Sequence, residues 1–248
     1  MTQSLGRFRI GTSGYHYDHW AGSFYPADLP KSDWFAHYAD VFDTVEINNT
    51  FYRLPDIDTF DAWRERAPQG FLYALKFSRY GTHMKHLKDP EGTIGLFMER
   101  AWRLGPHLGP VLVQIPPHWK VDPERLRDFL ASTPDEIRWV IEVRNATWLH
   151  DTVFAVLRQA GAALCVHDLL ENHPWMVTTD WMYLRYHGIG YGGAYAHQRL
   201  SADADRVAHH LRSGRDVYAY FNNDIGGHAI RDADRFRRFV ATRCDRST

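Results

Sequence analysis

Eight short runs of apolar, β-favouring residues recur along the chain, at 8–13, 44–48, 71–77, 111–115, 138–143, 162–167, 181–187 and 217–222. Between them, polar and apolar positions follow the 3.6-residue period of amphipathic helices, at 58–66, 93–104, 123–130, 152–159, 202–211 and 232–240 among others. The helical stretches carry their own punctuation. Asp33 and Asp122 stand just ahead of helical segments, Pro123 fits a first helical position, and Gly161 fits a stop. Strand–helix alternation repeated eight times predicts parallel strands joined by right-handed crossovers. Its closed form is a (β/α)8 TIM-type barrel of the α/β class, which takes about 250 residues as one domain. The whole chain, residues 1–248, is accordingly read as a single domain. One irregularity stands out. The segment 169–180 contains Pro174 and is too short for a crossover helix, so an irregular or missing helix is predicted between strands 6 and 7.

Strand parity then sorts the polar residues. Side chains alternate between the inside of a barrel and its helix layer. If Val45 and Ile47 face the helices, then Thr44, Glu46 and Asn48 turn inward. If Tyr73, Leu75 and Phe77 face outward, then Lys76 and Ser78 turn inward. Trp139, Ile141 and Val143 likewise leave Glu142 and Arg144 inside, and the same count turns in Gln114, His167, Arg185 and His187. These groups all fall near the C-terminal ends of their strands, where barrels of this kind keep their active sites. Burying charge is costly unless it is paired or used. An internal ion-pair layer, for example Glu46 with Lys76, is the structural alternative.

Two loop features add to the picture. The connection after the first strand is rich in rings, among them Tyr15, Tyr17, Trp20, Phe24 and Tyr25. Tyr15 and Trp20 could stack on a ligand, or the rings could simply pack against one another. Strands 7 and 8 run into glycine-rich segments, 188–193 and, after Asn222 and Asn223, Gly226 and Gly227 ahead of the last helix. Glycines let backbone N–H groups approach a ligand, and a helix N-terminus attracts anions, so a phosphate beside Gly226 and Gly227 is one reading. Tight turns are the other.

Composition narrows the classes. Net charge is −1 with acidic and basic residues interspersed, so a general nucleic-acid footprint is absent. Only two cysteines occur, without a CxxC pair, which argues for a reducing compartment and against structural zinc. The N-terminal sequence lacks the apolar run of a signal peptide and no stretch is long enough to span a bilayer, so a cytoplasmic location without a membrane partner is expected. Neither a GxGxxG turn after the first strand nor a P-loop is present, and no nucleotide cofactor is called for.

Several pieces, taken in order, resemble the YecE-like family, the domain of unknown function 72. They are GTSGY from Gly11, WAGSFYP from Trp20, VEINNTFY from Val45, KFS from Lys76, QIPP from Gln114, EVR from Glu142, RYHG from Arg185 and YFNND from Tyr220. The resemblance runs from about Phe8 to Phe239, with Tyr15 where the family often has Trp and Asn49 where Ser is common. It implies a TIM-barrel-like fold, and a kinship with endonuclease IV-type barrels that keeps nucleic acid among the alternatives. It implies no activity.

Three functions follow from the residues. In the first, the chain is an enzyme for a small polar or anionic ligand, sugar-like or phosphorylated. Glu46 and Glu142 would supply acid–base chemistry with Lys76 and His187, while Arg144 and Arg185 hold the anion and Asn48, Gln114, Asn222 and Asn223 line the site. In the second, Glu46, Glu142, His167, Asp168, His187 and Asp224 bind a divalent metal for an isomerase or phosphodiesterase, although the inward cations oppose it. Its nucleic-acid form would want a basic rim, for which 79–88 with Arg79, His83, Lys85, His86 and Lys88 is the candidate. In the third, the chain binds a ligand without turnover.

Overall fold

The computed structural model describes residues 4–188 and 191–245. Its strands are β1 (Phe8–Thr12), β2 (Thr44–Ile47), β3 (Leu72–Lys76), β4 (Leu108–Gln114), β5 (Trp139–Glu142), β6 (Ala163–His167), β7 (Trp181–Tyr186) and β8 (Asp216–Phe221). Its helices are α1 (Trp34–Val41), α2 (Asn49–Tyr52), α3 (Ile57–Arg66), α4 (Pro90–Ala101), α5 (Pro123–Ala131), α6 (Asp151–Gln159), α7 (His197–Arg212) and α8 (His228–Asp245). Each strand was anticipated within a few residues. The single-turn α2 and a π-helical turn at Tyr80–Met84 were not. The succession is that of a (β/α)8 TIM-type fold, and the chain divides into two compact units.

The first unit comprises residues 1–45, 167–169 and 180–248. Here β8 pairs in parallel with β1, Phe8 opposite Val217 and Thr12 opposite Phe221, and with β7, Trp181 opposite Asp216. Phe236 of α8 packs its ring against Phe8, Tyr186 and Phe221 at 6.0, 5.3 and 5.8 Å, which seats the helix on the outer face of these strands. Gly11 is a close-approach position: a Cβ there would stand 2.1 Å from the Thr44 carbonyl oxygen and 2.8 Å from the Tyr38 hydroxyl.

The second unit comprises residues 46–166 and 170–179. Strands β3, β4, β5 and β6 pair in parallel in that order, with Gln114 directly opposite Glu142. Phe77 meets Phe97 of α4 at 5.0 Å and Phe129 of α5 at 5.5 Å, and Tyr73 stacks on Trp63 of α3, so the apolar parity of β3 faces its helices as expected. Asp122 caps α5 by accepting from the Arg125 N–H at 3.0 Å, and Gly161 ends α6 at φ +63. Asp33 differs: it closes a 3-10 turn and accepts no capping hydrogen bond, because its backbone is already helical. Between β6 and β7 no helix forms. Thr178 lies along β6 instead, donating to the Ala162 carbonyl at 2.8 Å and accepting from the Leu164 N–H at 3.0 Å. No described helix is long and apolar enough to cross a membrane.

Candidate functional site

In the second unit, Thr50 on α2 ties two strand ends together, its hydroxyl lying 3.2 Å from the Ile47 carbonyl and 2.7 Å from that of Lys76. Glu46 and Glu142 are fully buried, and Lys76 and Gln114 keep only 8% of their surface exposed. Glu46 accepts from Asn48 Nδ2 at 3.5 Å. Arg144 Nε donates to Glu142 Oε1, while Arg144 Nη2 reaches Gln114 Oε1 at 3.4 Å. The Cys165 thiol lies 3.9 Å from Glu142 Oε2. The Lys76 ammonium sits 4.2 Å from the centre of the Phe51 ring, a cation–π contact that holds a long side chain in one direction. Glu46, Asn48, Lys76, Gln114, Glu142 and Arg144 thus fall at the strand ends of one unit, as parity requires.

The first unit treats its polar strand ends differently. Asp168, following β6, accepts from the backbone N–H groups of His187 at 2.9 Å and Gly188 at 3.3 Å. It also accepts from His187 Nδ1 at 3.3 Å and from the Tyr195 hydroxyl. Burial works to raise its pKa, but the side-chain hydrogen bonds of His187 and Tyr195 and the His187 N–H outweigh that and hold it at about 2. An ionised Asp168 can only accept, so Nδ1 of His187 carries a proton and donates it in this contact. His187 is fully buried, and its ring lies 5.9 Å from that of His167. Arg185, 2% exposed, reaches Ser13 Oγ at 3.4 Å. Neither Asp168 as an orienting group nor Tyr195 was singled out by sequence. The signal available was only that an acid directly follows a strand-end histidine.

The ring-rich loop packs against itself. Trp20 has no exposed surface: its ring meets Tyr17, Phe24 and Tyr25 at 4.9–5.9 Å, and its Nε1 donates to Asp224 Oδ1 at 2.7 Å. Its faces are spent on packing rather than presented to a ligand, contrary to the stacking role anticipated. Tyr15 lies against Phe35 and Tyr38 at 5.3 and 5.8 Å. Asn222 donates its backbone N–H to the Tyr186 carbonyl at 2.7 Å. Asn223 is buried, and its amide donates to the Gly193 carbonyl at 2.9 Å and to Asp232 Oδ2 at 2.7 Å, which fixes loops in place. Gly226 and Gly227 adopt φ +76 and +68, so the turn before α8 needs them as glycines, and Arg231 donates to the Gly226 carbonyl at 2.8 Å. Of the 188–193 stretch, Ile189 and Gly190 lie outside the described residues.

Among the described residues, no group of three or more His, Cys, Asp and Glu side chains is gathered closely enough to hold a metal ion. Asp224, one of the six ligands anticipated for a divalent ion, is engaged by Trp20 Nε1 and by His19 Nε2 at 3.0 Å.

Fold and strand-end chemistry together define a TIM-type α/β protein with buried ionisable groups at the C-terminal ends of its strands. The model of the family described as "Protein of unknown function DUF72" matches residues 9–247, and the chain belongs to that family. It is 31% identical over 142 residues to the UPF0759 protein YecE of Escherichia coli K12, a match covering 55% of this chain and 52% of that one. The chain thus spans about half the length of the curated relatives it matches. A crystal structure of a DUF72 family protein from Thermotoga maritima superposes with a TM-score of 0.85 at 25% identity, over 95% of this chain and 99% of the other. One from Enterococcus faecalis reaches 0.80 at 18% identity, over 94% and 95%, and bears on the fold alone.

Proposed function

We propose that the chain is an enzyme that holds a small polar, anionic ligand, sugar-like or phosphorylated, at the strand ends of the second unit. Lys76 and Arg144 bind the anion, and Glu46 and Glu142 handle the proton. The observation that carries this reading is two fully buried carboxylates placed with two cations at the same ends of β2, β3 and β5. Apolar residues of similar volume would cost the fold less than buried ions, so their retention favours use over architecture. Gln114 and Asn48, each touching one of these charges, orient the ligand and the carboxylates. No cofactor is invoked.

The first unit carries a candidate proton-handling group of its own, His187, whose Nδ1 is held by the Asp168 carboxylate. It serves as base in its neutral form, with Asp168 as its positioning residue.

The test compares pairs of compounds that differ only in a phosphate group, by thermal shift and then by phosphorus NMR for conversion. Stabilisation by the phosphorylated members, with conversion lost in Glu46→Gln while their stabilisation persists, is the expected result. Stabilisation by neutral members alone, or conversion undiminished in Glu46→Gln, would sink the reading. Stabilisation without conversion by the wild type would make the chain a binding protein. Loss of conversion in EDTA would favour the metal-dependent alternative.

A further inference from the structure

We propose that the segment following β3 makes the second unit's strand-end site selective for dianionic oxyanions of the phosphomonoester class, with His83 taking up a proton as the anion binds. This rests on the reading that Lys76 and Arg144 hold an anion.

The geometry begins at Phe51. Its ring supports the Lys76 ammonium at 4.2 Å and meets the His83 imidazole edge-on at 5.1 Å, so both groups are referred to one rigid aromatic. Thr82 then sets the imidazole's tautomer. The Thr82 hydroxyl has one proton, and it lies 3.0 Å from the Ser78 carbonyl, which can only accept. The same oxygen lies 2.9 Å from His83 Nδ1 and therefore accepts from an Nδ1–H. His83 Nε2 is left with the lone pair, and no described hydrogen bond engages it. The backbone that presents these groups is unusual. A π-helical turn spans Tyr80–Met84, and His86, Leu87 and Asp89 all adopt positive φ, at +49, +59 and +56. Such turns and left-handed non-glycine residues concentrate at functional sites.

Charge completes the case. The groups that act on His83 are Lys76 from β3, Arg79 ahead of the π turn, His86 beyond it, and Arg144 after β5. Burial first, and then these groups, push its pKa down from 6.5 to about 4, so the free protein holds it neutral at ordinary pH. An oxyanion seated among Lys76, Arg79 and Arg144 reverses the repulsion. A proton from solvent then adds to Nε2, turning the imidazole into a further hydrogen-bond donor to the anion. A tetrahedral dianion offers both the charge and the number of acceptor oxygens to use all four groups. A monoanionic carboxylate offers one charge and two oxygens.

Sodium sulfate is the probe, because it remains a dianion throughout the range and any pH effect belongs to the protein. Calorimetric titration of the whole chain is expected to give binding about tenfold tighter at pH 5.5 than at pH 8, with net proton uptake, if the bound histidine returns to about its ordinary pKa. His83→Asn should flatten that dependence while retaining the pH 8 affinity, and His86→Asn should leave the dependence in place. Formate should bind at least about tenfold more weakly than sulfate, a gap of about 1.4 kcal/mol. Sulfate binding that is independent of pH, or a dependence surviving His83→Asn, overturns the role of His83 and leaves the anion reading standing. Formate binding as tightly as sulfate overturns the selectivity for dianions. Absence of sulfate binding at any pH, or binding unchanged in Lys76→Met, overturns both this inference and the anion site beneath it.

Discussion

In the first unit, Asp168, Asp224 and Asp232 are each held by two or more donors from loops and helices. In the second, burial first and then Lys76, Arg79, His86 and Arg144 act on one histidine, His83, and keep it neutral. Both units bring polar residues to their strand ends, yet the first spends most of them on fixing loops. Asp232 of α8 gathers these loops. Entirely buried, it accepts from the Tyr195 backbone N–H at 3.0 Å, from Asn223 Nδ2 and from Arg235, joining the β7–α7 connection to α8. A polar residue at a strand end is therefore not by that fact a ligand contact. What separates the units is that strand-end acids of the first are met by several loop donors, whereas the buried carboxylates of the second share their strand ends with the cations Lys76 and Arg144.

The contrast can be broken most severely at Asp232. Asp232→Ala takes a shared acceptor from the Tyr195 N–H, Asn223 Nδ2 and Arg235 and should cost about 3 kcal/mol in chemical denaturation, with sulfate affinity unchanged. A loss below about 1 kcal/mol would mean that this knot contributes little to the first unit. Tyr195→Phe comes next. It removes one donor from a carboxylate held at about 2, and should cost about 1.5–2 kcal/mol near neutrality. The sign is fixed by linkage. Asp168 has a folded pKa below its ordinary 3.8, so it contributes stability above that value that is lost as pH falls through about 2. Tyr195→Phe moves the folded pKa upward, and acid unfolding monitored by circular dichroism should begin at a higher pH.

In the second unit the effects should fall on binding. Lys76→Met keeps the length of the side chain and removes its charge, and sulfate affinity should fall at least about tenfold by calorimetry, about 1.4 kcal/mol. His83→Asn should give the smallest effect. With a folded pKa of about 4 against an ordinary 6.5, His83 binds fewer protons folded than unfolded between those values. Stability therefore rises with pH across that window, and His83→Asn should flatten this part of a stability–pH curve. A curve unchanged by the substitution would show that His83 is not held neutral.

How much of this was legible in the sequence follows the same division. Alternation of apolar and polar positions marked all eight strands and placed Glu46, Lys76, Gln114, Glu142 and Arg144 correctly at strand ends, because the two-residue strand period leaves little choice once the apolar face is known. Pro174 and the brevity of 169–180 marked the missing helix. The destinations of loop residues could not be read that way. Trp20 belonged to a ring cluster whose partners, Tyr17, Phe24 and Tyr25, were visible, but nothing in the order of residues says that the rings close on one another rather than on a ligand. Asn223 finds Asp232 only through the turn at Gly226 and Gly227. His83 sat in a run of basic residues, 79–88, that read only as a candidate basic rim. The π turn and the Phe51 ring, which bring it beside Lys76, leave no periodic trace.

The central claim is that the second unit's strand ends are an anion site, and crystals soaked in tungstate test it most directly. Anomalous scattering locates the metal of that dianion without reference to the protein. A peak within hydrogen-bonding reach of the Lys76 ammonium and the Arg144 guanidinium, with His83 beside it, is the expected result. Peaks confined to other places, such as the glycine turn ahead of α8, or no ordered peak at all, would contradict it.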